Sequence, residues 1–403
     1  MREYYTPTLK NRAQPNDDWI HSIRQKYPTE RTLDEVLTKK LRNRTHTAEH
    51  KTDFSDLENQ LVSFLKKATG QDDLVLKNLH RLSGGASKEQ FTFDLTWNQG
   101  NSIRSSEKLI LRMDPTESIV ETHRLRESQM LNAMWGEVPV PKVHWTDPVG
   151  KELGHPFLIA GFLEGTVQPE GGDKASGLGM FFEPSLRLDL KEQFVQHLAK
   201  IHTIDWRKKD LTAYESPRKN HVEGNEWSLG WWERVWQEDA VEAHPIVENA
   251  ALWLRENMPT VEKPVIVHGD YRSGNFMYTE EHQINAVLDW ELSHIGDFHE
   301  DLSYTTCQIL GTPLEDGSVL TSGLLSKDEF LDKYQHYSGN TVDPKRLFYF
   351  DVFSYYKVAV ISVATSSRAA YGRKTHLDAM MNLLSGFGYT GISALQRLLD
   401  QGS

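Results

Sequence analysis

Hydrophobic positions recur at three- and four-residue steps in TLDEVLTKKLRNR and in FSDLENQLVSFLKKATG, a period that predicts two helices in a polar, charge-rich stretch from residue 1 to about 75. Between them THTAEHKTD lacks apolar anchors and reads as an exposed connection. From Leu76 the period changes to two. VLKNLHRLSGG, EQFTFDLTW and EKLILRMDP are apolar runs, alternating most clearly in the second, bounded by Gly, Asn, Ser or Pro, which predicts a small antiparallel sheet. TESIVETHRLRESQMLNAMWG reads as an amphipathic helix, and VPVPKVHWTDP and GHPFLIAGFLEG add two further strands. After Gly165 the pattern is mostly helical: LRLDLKEQFVQHLAKIHTID, the tryptophan-rich EWSLGWWERVWQEDAVEAHPIVENAALWLRENMP, and the region from Lys327 onward. Two short strands interrupt it, KPVIVHGD breaking into a loop and HQINAVLDW ending in acidic residues.

Composition narrows the function. A chain of 403 residues supports a substantial core and a bilobal enzyme or two to three domains. The formal charge of −12, without a dense Lys/Arg run, argues against a nucleic-acid partner. No continuous apolar run resembles a secretory leader or approaches the length of a bilayer span, so a soluble, non-membrane protein is expected. The single cysteine, Cys307, cannot form an intrachain disulfide, which fits a reducing cytoplasm, and it reads as a small buried hydrophobe.

The chemistry concentrates in VIVHGDYRSGNFMYTEEHQINAVLDWE. Asp270 lies five residues before Asn275, and Asp289 ends the next strand. Phosphoryl transfer needs a group that orients and deprotonates a hydroxyl, and oxygen ligands that hold metal on nucleotide phosphates. A loop Asp-x-x-x-x-Asn followed by a strand-terminal Asp supplies that set in the order used by protein kinases, although HGD and DWE stand here in place of HRD and DFG.

HGDYRSGN with LDWE resembles the aminoglycoside phosphotransferase superfamily. LSGGASKEQFTFDL is similar to that family's nucleotide-covering hairpin, RESQMLNAMWGEVPVPKV to its helix-to-strand passage and FLIAGFLEG to its interlobe linker; LAKIHTIDW and IGDFHEDLSY also resemble family segments. The likeness covers roughly residues 76 to 390 and is nearest to the branch containing kinase domains attached to some acyl-CoA dehydrogenases. It implies an α+β, bilobal protein-kinase-like fold, with a helical extension over 1–75, a small antiparallel-sheet N-lobe over 76–163 and a larger, mainly helical C-lobe over 164–403.

Carried over by resemblance, Asp270 is the catalytic base, Asn275 and Asp289 are the Mg2+ ligands, and Glu291 assists the metal. Gly84, Gly85 and Ser87 approach the phosphates of ATP, and the backbone of Gly161, Phe162 and Leu163 faces the adenine. Arg112 stands where most kinases carry a lysine, with Lys108 as its nearest competitor. A guanidinium holds phosphate and carboxylate in a planar fork, and Glu127 on the following helix is its expected partner. The acceptor is a small molecule bearing a hydroxyl, and the candidates include an aminoglycoside, a macrolide, a choline-like alcohol, a sugar and a hydroxyacyl thioester. The alternatives are a nucleotide-binding regulatory pseudokinase and a kinase for protein side chains.

Several other residues invite chemical readings but have structural ones. His268 is expected to brace the loop through backbone hydrogen bonds, and His202 to pack in the core. Asp301 reads as a helix N-cap and Asp297 as a loop brace. Trp227, Trp231, Trp232 and Trp236 are expected mostly in the core. Arg368, Arg373 and Lys374 invite an anionic acceptor, whereas Glu226, Glu233, Glu238 and Asp239 invite a cationic one, so charge does not name the substrate.

Overall fold

The computed structural model describes residues 11–44, 54–82, 88–98, 104–115, 118, 120–167, 180–365, 368 and 378–402. The connection over 45–53, the glycine hairpin with Gly84, Gly85 and Ser87, and the basic pair Arg373 and Lys374 lie outside the described residues.

The apolar periods of the N-terminal region become α1 (Asp17–Lys26), α2 (Arg31–Asn43) and α3 (Leu57–Thr69). Asn16 caps α1 by accepting from the Trp19 N–H, and Gly70, in the left-handed region at φ 68°, ends α3. These helices pack on different partners. Leu57, Leu61 and Leu65 of α3 cover the outer face of the sheet against Phe91, Phe93, Leu109 and Leu111, whereas Leu33 and Leu37 of α2 enter the helical core beside Trp231 and Trp232. Each fully buried leucine contributes about 1.5–3 kcal/mol.

The sheet runs β1 (Val75–Arg81), β2 (Glu89–Asn98), β3 (Arg104–Met113), then β4 (Val143–Asp147) and β5 (Phe157–Gly161), in spatial order β1-β2-β3-β5-β4 and antiparallel throughout. The two-residue period sends Leu109, Leu111 and Met113 into the core under α3 and turns Lys108, Ile110 and Arg112 to the opposite face. That alternation decides the competition: Lys108 lies over the Phe162 ring, 4.2 Å from its centroid, and Arg112 faces the carboxylates of Glu127 and Asp289.

The helix read as amphipathic over residues 116–136 is shorter and differently built. α4 spans Arg124–Met134, and Arg124, Arg126, Glu127 and Ser128 are as buried as Met130 and Leu131. Its charged residues are neutralised by one another and by partners on other elements, so only the uncharged Gln129 and Asn132 carry its polar face toward water.

The helical lobe follows with α5 (Pro184–Thr203), α6 (Glu223–Asp239) and α7 (Pro245–Glu256), the short strands β6 (Val265–Val267), β7 (Phe276–Tyr278), β8 (Ile284–Val287) and β9 (His294–Gly296), then α8 (His299–Thr306), α9 (Lys327–Ser338), α10 (Pro344–Ala359) and α11 (Asp378–Gln401). β6 pairs with β9 and β7 with β8. Trp231, Trp232 and Trp236 are buried in the lobe and Trp227 is half-buried. α10 continues through a π-helical turn over Val360–Thr365, and together they form a 22-residue helix long and apolar enough to cross a membrane by length and composition. The sequence reading excluded any run of that length, and this helix corrects it; most of it is buried within the helical core.

Candidate active site

The loop that leaves β6 is fixed before its carboxylate is reached. Gly269 adopts φ +84°, and a Cβ there would lie 2.6 Å from the Leu292 carbonyl oxygen, so only glycine fits without displacement. Asp301 of α8 accepts from the His268 N–H at 2.7 Å, the Gly269 N–H at 2.8 Å and the His202 ring at 3.0 Å. Burial would raise the Asp301 carboxyl, but the His202 hydrogen bond and charge and the loop amides hold it below the usual range. Asp301 is the third residue of α8 and does not cap it, a correction to the sequence reading. The local signal of an acid near a helix start is real, but its acceptors serve the loop. Asp297 does brace its neighbourhood, accepting from the His299 N–H at 3.0 Å and from Arg346 at 3.1 Å.

His268 behaves as a brace. Its Nδ1 accepts from the Asp270 N–H at 3.2 Å, so Nε2 carries the proton and donates to the Leu288 carbonyl at 2.9 Å. Burial lowers its pKa, consistent with a neutral ring. His202 is buried, bonded to the Tyr334 hydroxyl at 2.8 Å as well as to Asp301.

Asp270 and Asn275 are in direct contact. The Asn275 amide donates to the Asp270 carboxylate at 2.7 Å and to its backbone carbonyl at 2.8 Å. Both amide protons are thereby engaged, and the amide oxygen is the part that remains for a cation. The other carboxylate oxygen of Asp270 accepts from Arg272 Nε at 2.9 Å. Tyr304 is buried nearby, and burial together with the Asp270 charge keeps its hydroxyl protonated.

In the neighbouring loop, Asp289 stands at φ 64°, ψ 54°, a left-handed conformation uncommon outside glycine and costly enough to cluster at functional sites. The Asn275 carbonyl accepts from the Leu288 N–H at 2.8 Å, tying the two loops together. Asp289 contacts Arg112 at 3.2 Å, and Arg112 meets Glu127 at 2.5 Å, the pairing anticipated from sequence. Behind them Arg124 joins Asp114 at 3.0 Å and ion-pairs with Glu127, while Lys88, fully buried, reaches Asp114 at 3.1 Å, Glu291 at 3.4 Å and the Thr122 hydroxyl at 3.0 Å. Burial, then the neighbouring Glu291 and Asp270 charges, push the Asp289 carboxyl up to about 7 against the pull of Arg112. A carboxylate crowded in this way gains from a bound cation. Among the described residues no three His, Cys, Asp or Glu side chains converge as a closed metal cage. One carboxylate and one amide oxygen suit a magnesium ion whose remaining ligands are phosphate and water.

The linker backbone is partly occupied: the Gly161 N–H donates to the Lys142 carbonyl and the Phe162 N–H to the Lys108 carbonyl, both at 2.9 Å. Sequence reading missed Arg272, Lys88, Arg124 and Asp114. Arg272 was discoverable as a cation two positions past Asp270 in one loop, and Arg124 as a base three residues before Glu127 on one helix. Lys88 and Asp114 acquire their roles only from long-range contacts.

Comparison with known proteins bears on this geometry. The model of the "Phosphotransferase enzyme family" matches residues 78–346. A mouse (Mus musculus) protein, "Acyl-CoA dehydrogenase family member 10", is 25% identical over 292 residues, 68% of this chain and 26% of its own length. The chain spans between about a quarter and under half of the length of the curated relatives it matches. Among solved structures, a Ralstonia eutropha JMP134 protein provisionally described as an aminoglycoside phosphotransferase aligns with a TM-score of 0.61 at 20% identity, covering 84% of this chain and 98% of the other. A thermostable variant of the aminoglycoside phosphotransferase APH(4)-Ia, in ternary complex with AMP-PNP and hygromycin B, aligns with a TM-score of 0.51 at 13% identity, covering 84% and 98%. The α+β fold with its two lobes is therefore kinase-like.

Proposed function

The chain belongs to the phosphotransferase enzyme family, and from that premise we propose that it transfers the γ-phosphate of ATP to a hydroxyl of a small-molecule acceptor. The observation that carries the reading is the Asp270–Asn275 contact at 2.7 Å in a loop bonded to the backbone beside Asp289. In this reading Asp270 orients the acceptor hydroxyl and takes its proton as the new O–P bond forms and ADP departs. Arg272, already 2.9 Å from Asp270, is placed to meet negative charge on the phosphoryl group being transferred. Arg112 steadies the triphosphate and Glu127 fixes the guanidinium. Asn275 and Asp289 would hold magnesium, with the Glu291 charge acting on Asp289. Magnesium, when bound, neutralises phosphate oxygens and so lowers the barrier to transfer. Gly84, Gly85 and Ser87 are assigned to the phosphates, and backbone groups around Gly161, Phe162 and Leu163 to the adenine.

The acceptor class is open, and the names of the curated relatives make a hydroxyacyl thioester the first candidate to try. The reading is tested by incubating the protein with γ-labelled ATP, magnesium and a panel of alcohols that includes hydroxyacyl thioesters, and following label into a phosphate ester. Label transfer that requires Asp270 supports it. Tight Mg·ATP binding with no transfer to any small molecule favours a regulatory binding protein instead.

A further inference from the structure

Arg126, one position before Glu127 on α4, is held by three separate segments. Its guanidinium ion-pairs with Glu30, donates to the Thr32 hydroxyl at 3.1 Å, to the Ala213 carbonyl at 3.2 Å and to the Ser293 carbonyl at 3.0 Å, and stacks 4.0 Å from the Tyr214 ring centroid. The second oxygen of Glu30 accepts from the Glu215 N–H at 3.0 Å, and the Thr32 hydroxyl donates to the Ala213 carbonyl at 2.9 Å. The Arg126 side chain is 3% exposed and that of Glu30 5%, so removing either partner strands a buried charge.

The N-terminal segment that delivers Glu30 and Thr32 is anchored in the opposite lobe. Asp34 ion-pairs with Arg234 of α6, Lys40 reaches Glu238 at 2.7 Å and Asp239 at 3.3 Å, and Arg44 pairs with Asp239. α6 is shaped for this docking. Gly230 sits mid-helix, where glycine costs roughly 0.5–1 kcal/mol relative to alanine, and a Cβ there would overlap the Pro28 carbonyl oxygen. One end of the segment is thus fixed to the helical lobe, and its beginning grips the helix that carries Glu127.

We propose that Glu30 and Thr32 form an interlobe clasp that positions Arg126, and through α4 sets the Glu127–Arg112 pair for binding nucleotide phosphates. This rests on the functional reading above and gives the N-terminal helices a part in the nucleotide site. Glu30 is a positioning residue here, acting through Arg126. A clasp of this kind couples to nucleotide, whereas an ion pair that only supports the fold changes stability alone.

The test is calorimetric binding of Mg·AMP-PNP, which needs no acceptor, to the full chain and to Glu30→Gln, Glu127→Gln and the double variant. The clasp requires Glu30→Gln to weaken binding by about fivefold or more, and the double variant to bind no more weakly than Glu127→Gln, because both changes act through one helix. Unchanged affinity in Glu30→Gln, or losses that add in the double variant, overturns it. Should Glu30→Gln fail to fold, Thr32→Val takes its place, with a smaller weakening that is likewise absent in the Glu127→Gln background; full affinity overturns the clasp. If the wild-type chain does not bind Mg·AMP-PNP, the function proposed above fails, and amide exchange over residues 126–131 decides the clasp. Faster exchange in the variant supports it and unchanged exchange overturns it.

Discussion

Around Asp270 the side chain is held by groups that answer one another, whereas around Asp289 the carboxylates of Asp289, Glu291, Glu127 and Asp114 outnumber the cations Arg112, Arg124 and Lys88 that lie among them. The base side is complete without ligand: Asp301 takes the loop amides, neutral His268 spans the loop, and the Lys357 ammonium donates to the Gly269 carbonyl at 2.5 Å. The Asp289 side carries surplus negative charge, which adds to burial in raising the Asp289 carboxyl. In the proposed reading, one half is preorganised for proton transfer and the other is finished by the cation it receives.

The contrast breaks most sharply if Asp270→Ala leaves activity intact. The base side holds its loop through Asp301 and His268, so truncating Asp270 is expected to lower kcat by about 10²- to 10⁴-fold while melting temperature and Mg·AMP-PNP affinity stay near wild type. Steady-state turnover beside a thermal melt checks both halves. Asp289→Asn should act in reverse order. It relieves crowding, raising the melting temperature of the ligand-free chain, and weakens Mg·nucleotide binding by at least the roughly 10- to 100-fold typical of altered metal surroundings. A variant as unstable as it is inactive would mean that Asp289 is a structural acid.

Sequence reading reached the parts of this machine whose logic is local. Five strands were legible because alternating apolar residues end at Gly, Asn or Pro, and the catalytic loop because Asp270 and Asn275 are neighbours in one turn. The character of α4 was hidden: Arg124, Arg126 and Glu127 look solvent-facing until Asp114, Glu30 and Glu291 arrive from distant segments. The opposed charge clusters named no substrate for the same reason. Arg368 lies 3.0 Å from Asp239, Glu238 meets Lys40 and Arg234, and Glu233 meets Arg255 at 2.5 Å, so much of the acidic and basic signal is consumed within the fold. Asp301 shows the limit from another angle: an acid at the start of a helix has a local reading, and only the folded chain places His268 and Gly269 against it.

The smallest expected effect is a pH dependence that separates the two sides in wild-type protein. Asp289 has a folded-state pKa raised to about 7, above the roughly 3.9 of an unfolded aspartate. In the ligand-free chain the penalty for ionising it is absent below the unfolded value, grows as pH rises between the two and is complete above about 7. In the proposed reading magnesium binds the ionised form, so binding between pH 6 and 8 releases a proton whose uptake below 7 competes with the metal. Mg·AMP-PNP affinity should therefore rise about tenfold across that range, with most of the gain below pH 7, and Asp289→Asn should flatten the curve. His268 contributes no such slope, because burial lowers its pKa and its ring is held neutral between the Asp270 N–H and the Leu288 carbonyl. A calorimetric series in two buffers of different ionisation heat would count the proton, and a slope that persists in Asp289→Asn would assign the titration to another group.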